Sequence, residues 1–544
     1  MINKIGIKNY KAFKDASIEL KPITILLGAN SVGKSSIIKL LLLISQNVNS
    51  SLKNDIPLLI NGEIIQFGSF ENILHYKNTQ NTLEINFSIE NTNFGIYCTD
   101  LYRTIFRIVQ NLKKTHYLCT NGLQKYQDYF AILDTEKEDR DIELLFKELI
   151  SYKTKINNIL KKEYKKDEMD ELINRFIQIY FSEEDYDNSY FKNKDGLLFF
   201  DTKVLRDTYS FLKKLSTHKD SLEIIYKFKL PNNKKNIEIH EFSLISKDEF
   251  LFSYKKESSK HKIESIYLDE NTAKSYASKF AKLVNLNQFQ VYKRLNEKDN
   301  LFVDTMSRII HSLLKEIKFS FNYESINYVD PLRAYPRRYY FLDEIKHSSA
   351  LNKIDGETMA KILKDDINLK KKVNKWINKF KLNVNIEQIK ETIHNIKIKQ
   401  NNLSLDITDV GFGISQVLPI ITQGFFANKN STTIIEQPEI HLHPKMQADL
   451  ADLFIEMVDT KNKSNKRFLI ETHSEYMLKR LRRRIAEGQI NSDDVAIYSL
   501  SLDKNTNCSE IDKIEIASNG SFEWPKDFHD TELEDTIQFL KHQG

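Results

Sequence analysis

Apolar residues along this chain fall into two textures. Near both ends they form short unbroken runs, as buried parallel strands do: Ile23-Thr24-Ile25-Leu26-Leu27, then residues 431–436, 467–471 and 495–500. Between them the spacing becomes that of lysine-rich amphipathic helices over 99–220. It turns to short alternating strands over 222–268, broken at Pro231, and to helix again over 272–318. Residues 2–27 read as a strand, a turn and a second strand. Leu83, Ile85, Phe87 and Ile89 alternate with polar residues, as in a strand with one wet face. Ile37, Ile38, Leu40, Leu41 and Ile44 predict a helix from about Ser35. Two more helices are predicted, from Pro444 to Val458 and from Glu475 to Glu487. The acidic stretches 134–143 and 183–188 read as solvated loops.

This pattern predicts an α/β protein whose first and last thirds build one mixed sheet with flanking helices. Residues 1–98 and 321–544 would be the two parts of that unit. Residues 99–320 would be an insertion, helical over 99–220, a small β meander over 222–268 and helical again over 272–318.

Composition changes this picture little. With 80 Lys+Arg against 75 Asp+Glu, the net charge of +5 does not announce a nucleic-acid binder, so any such surface must be a local patch. Three scattered cysteines, Cys98, Cys119 and Cys508, argue for a reducing compartment and against a disulfide framework. Met1 to Ile5 lack a signal-peptide layout, and the apolar run Ile37–Ile44 is too short to span a membrane. A soluble cytoplasmic protein with no membrane partner is the expectation.

The chemistry starts at Gly28-Ala29-Asn30-Ser31-Val32-Gly33-Lys34-Ser35-Ser36, which fits the phosphate-loop pattern G-x-x-x-x-G-K-[ST] between a predicted strand and a predicted helix. The glycines let backbone N–H groups converge on a phosphate chain, and the helix N-terminus adds its positive end. Lys34 can reach the β- and γ-phosphates and the Ser35 hydroxyl can ligate Mg²⁺. Near the other end, Thr432 to Glu436 is an apolar strand ending in a carboxylate. Strand ends of that polarity face the ligand in parallel sheets, so Glu436 is placed to hold Mg²⁺ opposite Ser35. The strand Arg467–Glu471 delivers His473 to the same edge, where it can hydrogen-bond a γ-phosphate or the attacking water. Asp409 to Gln416 opens a helix with a glycine pair and a serine, a pattern that suits an anion site and a flexible cap equally. His441 and His443 share a face but have no third metal ligand near them in sequence.

Taken in order, these residues resemble the ATP-binding-cassette head of the SMC/RecF/OLD class. Asn30 and Ser36 in the loop and Asn9-Tyr10-Lys11-Ala12-Phe13 before it fit that class. Gly411 to Gln416 resembles its signature motif, Glu436 its Walker B acid and His473 its switch histidine. Tyr328 to Tyr340 with Pro331-Leu332-Arg333-Ala334, Glu436 to Pro444, and Gly520 to Pro525 are similar to hallmarks of AAA-type ATPases of bacterial anti-phage systems, the Septu ATPase PtuA and its retron-associated relatives. The resemblance covers roughly 1–90 and 325–530 and leaves out the helical insertion.

The resemblance implies a P-loop NTPase fold of cassette type that binds ATP and Mg²⁺. Two heads would dimerise, or assemble further, with ATP between one subunit's phosphate loop and the other's Gly413 and Ser415. It also implies a separate HNH nuclease subunit, because no nuclease domain is recognisable in this chain; DNA or a retron RNA–DNA is a further partner compatible with it. A RecF-like DNA-repair clamp and a transporter ATP-binding subunit are the alternatives. Where the cassette pattern places a catalytic glutamate, this chain has Gln437, whose carboxamide cannot accept a proton. Slow hydrolysis follows, with Glu439 or His473 as substitutes. The densest basic run, Lys479 to Arg484, reads equally as a solvated helix face or as a phosphate-backbone contact.

Overall fold

The strand Ile23–Gly28 is the fourth of six in a sheet whose order is 326–329, 432–436, 467–471, 23–28, 495–502 and 509–514. The first five run parallel and the last turns back as a hairpin. Both faces are covered, which explains the unbroken apolar runs. Leu26, Ile434 and Leu469 belong to one core, whereas Ile25, Ile435 and Ile470 belong to the other. The structure, a computed structural model, describes the chain except residues 51–54, 91–92, 122–139, 164–200, 219–220, 232–235, 248, 258–259, 294–299, 332, 334–335, 342–355, 402, 459–463, 526–535 and 543–544. Of the loop expected over 134–143, residues 134–139 lie outside the described residues and Ile142 and Glu143 open the helix Ile142–Glu163; the loop expected over 183–188 lies outside them as well.

Residues 2–27 hold three strands where two were expected. Lys4–Tyr10 and Phe13–Glu19 form a hairpin apart from the parallel sheet, and only Ile23–Gly28 enters it. That hairpin begins a second, wholly antiparallel sheet of seven strands, ordered 13–19, 4–10, 83–89, 222–229, 238–246, 249–257 and 260–264. The strands expected as a separate meander are thus its outer four. The helices Gly95–Asn121, Ile142–Glu163 and Thr202–Leu215 lie in sequence between two hydrogen-bonded neighbours, 83–89 and 222–229. The physical cause is a shared apolar face. Phe87, Tyr226 and Phe228 are fully buried, and each meets the Phe289 ring edge-on at centroid distances of 5.1–5.9 Å.

Between the two sheets runs the helix Lys34–Val48, in which Leu40 to Val48 are all buried. A helix apolar all round needs such a central place. The sheets are tied together where the Glu19 N–H donates to the Tyr498 hydroxyl at 2.7 Å and the Ser509 N–H donates to the Ala12 carbonyl at 2.8 Å. The other face of the parallel sheet is covered by the helices Phe412–Phe426, Pro444–Val458 and Glu475–Ala486. Two further helices, Gly356–Asp365 and Ile367–Ile377, and a small sheet of 340–341, 393–400, 382–388 and 403–406 pack there as well. Among the described residues no helix is long and apolar enough to cross a membrane.

Candidate functional site

The loop after Ile23–Gly28 keeps its shape because two of its residues must be glycine. Gly28 has φ +141°, and a Cβ there would lie 2.3 Å from the Leu500 carbonyl oxygen; Gly33 has φ +103°, and a Cβ there would lie 2.7 Å from the Phe13 ring. Phe13 and Tyr10 come from the first hairpin, and the Tyr10 hydroxyl donates to the Ser36 carbonyl at 3.1 Å. Ala29, Asn30 and Ser31 are exposed, so the loop's concave side is open to a ligand. Lys34 is only 3% exposed, and its ammonium donates to the Gly28 and Ala29 carbonyls at 2.9 and 2.7 Å.

Strand register brings two carboxylates to this edge. Glu436 pairs with Glu471, and Glu471 pairs with Leu26, two residues before Gly28. Ser35 and Glu436 therefore share one end of the sheet, as their sequence positions predict. The carboxylate directly against the loop is nevertheless Glu471, which sequence reasoning missed. The Ser35 hydroxyl donates to it at 3.2 Å and the Lys34 ammonium lies 3.9 Å away. Its signal was available: like Glu436, it closes an apolar run. Glu436 instead accepts a 2.5 Å hydrogen bond from the Tyr328 hydroxyl. Burial pushes both carboxyls above their ordinary range; Glu471 is raised further by Glu436 beside it and drawn back by Lys34 and Ser35. A serine hydroxyl and two buried like-charged carboxylates form a hard, all-oxygen donor set that fits Mg²⁺.

Beyond Glu436 the chain makes a tight turn. Gln437 adopts a left-handed backbone with φ +45°, a conformation that costs a non-glycine residue about 1 kcal/mol or more. Three hydrogen bonds hold it: the Gln437 N–H donates to the Glu471 carbonyl at 2.7 Å, and Arg333 Nη2 donates to the Glu436 and Gln437 carbonyls at 3.0 and 3.2 Å. Glu439, expected as a substitute base, is already engaged through both oxygens, by the Thr472 hydroxyl at 2.8 Å and the His473 N–H at 2.6 Å. It fastens the turn to the His473 loop. The exposed His473 ring is held below its ordinary pKa by one-sided burial and by the Lys34 charge. Arg333 is 8% exposed, and its Nε and Nη1 have no hydrogen-bond partner among the described residues. Each stranded donor of this kind costs about 1–3 kcal/mol. Burial lowers its pKa to about 10 against the opposing charges of Glu439 and Asp330.

The Gly411–Gln416 stretch does open a helix, Phe412–Phe426, with Gly411 exposed at its start. Gly413 packs where a Cβ would come 2.9 Å from the His441 carbonyl oxygen. Ser415, one of the two residues expected to meet a partner's nucleotide, is 5% exposed within its own subunit. Arg338 ties this region to the Tyr328–Tyr340 segment by donating from Nη2 to both Asp409 carboxylate oxygens, at 3.0 and 3.2 Å. His443, for its part, accepts the Lys445 N–H through Nδ1 at 3.3 Å at the entry to the Pro444–Val458 helix.

The basic run Lys479 to Arg484 is mostly neutralised at home. Arg480 and Arg484 pair with Asp452 at 2.5 Å, and Arg480 also reaches Asp449 at 3.2 Å. Arg483 pairs with Glu487 and Lys479 with Glu475. Arg482 lies over the Phe522 ring at 6.0 Å, pinning the Gly520–Pro525 tail to the helix.

No curated protein sequence matches the chain. Among solved structures, the SMC head domain from Thermotoga maritima shares 8% identity over 95% of this chain and 99% of its own, with a TM-score of 0.34. The Smc head domain with an extended coiled coil bound to the C-terminal domain of ScpA, from Pyrococcus furiosus, shares 11% identity over 99% of this chain and 98% of its own, with a TM-score of 0.32. Likeness at that level carries no argument about mechanism. A family does match, the AAA ATPase domain, over residues 1–478, and this span takes in the phosphate loop, both strand-end carboxylates, the Gln437 turn and His473. With its α/β P-loop fold and mixed sheets, the chain belongs to the AAA ATPase domain family.

Proposed function

We propose that this ATPase binds MgATP at the Gly28–Ser36 loop, hydrolyses it slowly and dimerises through its heads while ATP is bound. One observation carries the reading. Lys34, Ser35, Glu436, Glu471 and the Gln437 turn meet at one sheet edge, and the residue that follows the Glu436 strand end is a carboxamide, with Glu439 two residues on already accepting hydrogen bonds through both oxygens. Lys34 and the loop N–H groups take the phosphates. Ser35 with Glu436 and Glu471 would hold Mg²⁺, which supplies charge neutralisation between the phosphates when bound. Gln437 orients the attacking water without accepting its proton, and His473 contacts the γ-phosphate. General-base assistance is worth about 10²–10⁴-fold, so its loss leaves ATP in place long enough to act as glue between two heads. The exposed Gly411 turn of a second copy, with Gly413 behind it, completes the sandwich, and Ser415, buried within its own subunit, joins only if that turn shifts on dimerisation.

The motifs similar to anti-phage ATPases extend the proposal to a cytoplasmic defence complex in which the nucleotide state restrains or releases a separate HNH nuclease. A DNA-clamping role loses its strongest sequence support, because the basic run is largely paired within the chain. Sizing of the purified protein with and without MgATP tests the reading, read alongside Lys34→Ala. ATP should shift the wild type to a dimer or larger species and leave the variant unmoved. An unchanged elution volume in ATP would sink the dimerisation.

A further inference from the structure

We propose that Arg333 is a positioning residue for ATP hydrolysis: by gripping two consecutive carbonyls it sets the angle at which the Gln437 carboxamide meets the attacking water. This rests on the reading of the Gln437 turn as the hydrolytic centre.

Arg333 follows the outermost parallel strand, Ile326–Val329, and reaches across the end of its neighbour, Thr432–Glu436. A single nitrogen, Nη2, donates to both the Glu436 and Gln437 carbonyls. The Gln437 N–H is held from the opposite side by the Glu471 carbonyl. The peptide planes before and after Gln437 are therefore fixed, and only its side chain retains freedom. Glu439 continues the arrangement by fastening the same turn to His473. Arg333 thus holds the Glu436 and Gln437 carbonyls, and Glu439 holds Thr472 and His473.

A purely packing role fits poorly. A methionine of similar length would fill the space without burying a cation, whereas Arg333 leaves Nε and Nη1 buried and unpartnered among the described residues. What the guanidinium supplies, and an apolar side chain cannot, is a rigid planar donor placed between two carbonyls. An ammonium on a flexible stem reaches such a pair less rigidly. The segment carrying Arg333 also holds Tyr328 on Glu436 and Arg338 on Asp409. It thus touches the metal-side carboxylate, the hydrolytic turn and the entry to the Gly411 helix in succession.

The test compares the full chain carrying Arg333→Met or Arg333→Lys with wild type, following steady-state ATP turnover and binding of a fluorescent ATP analogue. A positioning role predicts turnover about 10–100-fold lower in R333M with analogue affinity within about twofold. R333K should lie between, and methylguanidinium added to Arg333→Ala should restore part of the turnover. Unchanged turnover in folded R333M overturns the proposal, as does a loss of affinity equal to the loss of turnover. Should R333M fail to fold, R333K decides, and wild-type turnover in that variant overturns the proposal. Wild-type turnover no higher than that of Lys34→Ala overturns the hydrolysis reading and this one together, whereas turnover present in wild type and unmoved by R333M overturns this one alone.

Discussion

Ser35 and Glu471 are 436 residues apart in the chain and joined by a 3.2 Å hydrogen bond, with the Lys34 ammonium 3.9 Å from the same carboxylate. Both groups that a nucleotide would claim, the loop ammonium and the loop hydroxyl, thus have a carboxylate partner inside the protein. A triphosphate would take over Lys34, and a Mg²⁺ ion would enter between Ser35 and the carboxylates. Glu471→Ala removes the internal partner, leaving the buried Lys34 with carbonyl oxygens alone. Without nucleotide this should cost about 1–3 kcal/mol of stability in urea unfolding. With saturating ATP in the presence of EDTA the loss should shrink, because phosphate replaces the carboxylate at Lys34 and the Mg²⁺ that Glu471 would help to hold is withheld from both proteins. An equal loss in both conditions would rule out the exchange of partners.

Lys34→Ala should abolish binding of a fluorescent ATP analogue at concentrations that saturate the wild type. The ammonium is 3% exposed and held by two loop carbonyls, so its removal also loosens the loop it spans. Circular dichroism should still report a folded protein, since the Lys34 side chain belongs to neither hydrophobic core. Wild-type affinity in a folded variant would place the nucleotide elsewhere.

Gln437→Glu should raise turnover, by as much as about 10²–10⁴-fold if proton abstraction limits the wild type. The left-handed turn and its three hydrogen bonds involve only backbone atoms of Gln437, so the substitution leaves them intact. Glu439 is already committed to the Thr472 hydroxyl and the His473 N–H, which hold it away from the role that the introduced carboxylate would take. Unchanged turnover would mean that another group already serves, and His473→Ala would then identify it.

How much of this was legible beforehand follows from how local each feature is. Gly28 to Ser36 carry strand end, loop and helix start in nine consecutive residues, so the phosphate site could be read directly. Glu436 was legible by the same logic of a strand end. Glu471 satisfies that logic equally, but its contact with Ser35 depends on which strands are neighbours, which no local pattern encodes. The pairing of 83–89 with 222–229 was hidden for the same reason, with helices lying between them in sequence. Arg333 stood out only as part of a motif. Its grip on Gln437 depends on the parallel pairing of 326–329 with 432–436. Charge runs mislead in the opposite direction: Lys479 to Arg484 looks like a free basic face until Asp449 and Asp452 on the adjacent helix are seen beneath it.

That cluster gives a pH dependence whose sign can be worked out. Burial disfavours the Asp452 carboxylate, but Arg484 and Arg480 outweigh it and hold its pKa below the ordinary aspartate value. The folded state therefore keeps Asp452 ionised to lower pH than the unfolded chain does. Between the two pKa values the unfolded chain binds more protons, so the contribution is complete above the unfolded value of about 3.9 and fades as pH falls through the folded one. Asp452→Asn should cost about 1–3 kcal/mol at pH 7, because Arg480 and Arg484 keep only Asp449 and Glu487 as carboxylate partners. Once pH has fallen through the folded-state value most of that difference should disappear, since the wild-type carboxyl is then largely protonated in both states. Urea midpoints of the two proteins across this range check it. A difference that stays constant from pH 7 down to the acid limit would show that Asp452 acts through its shape and not through its charge.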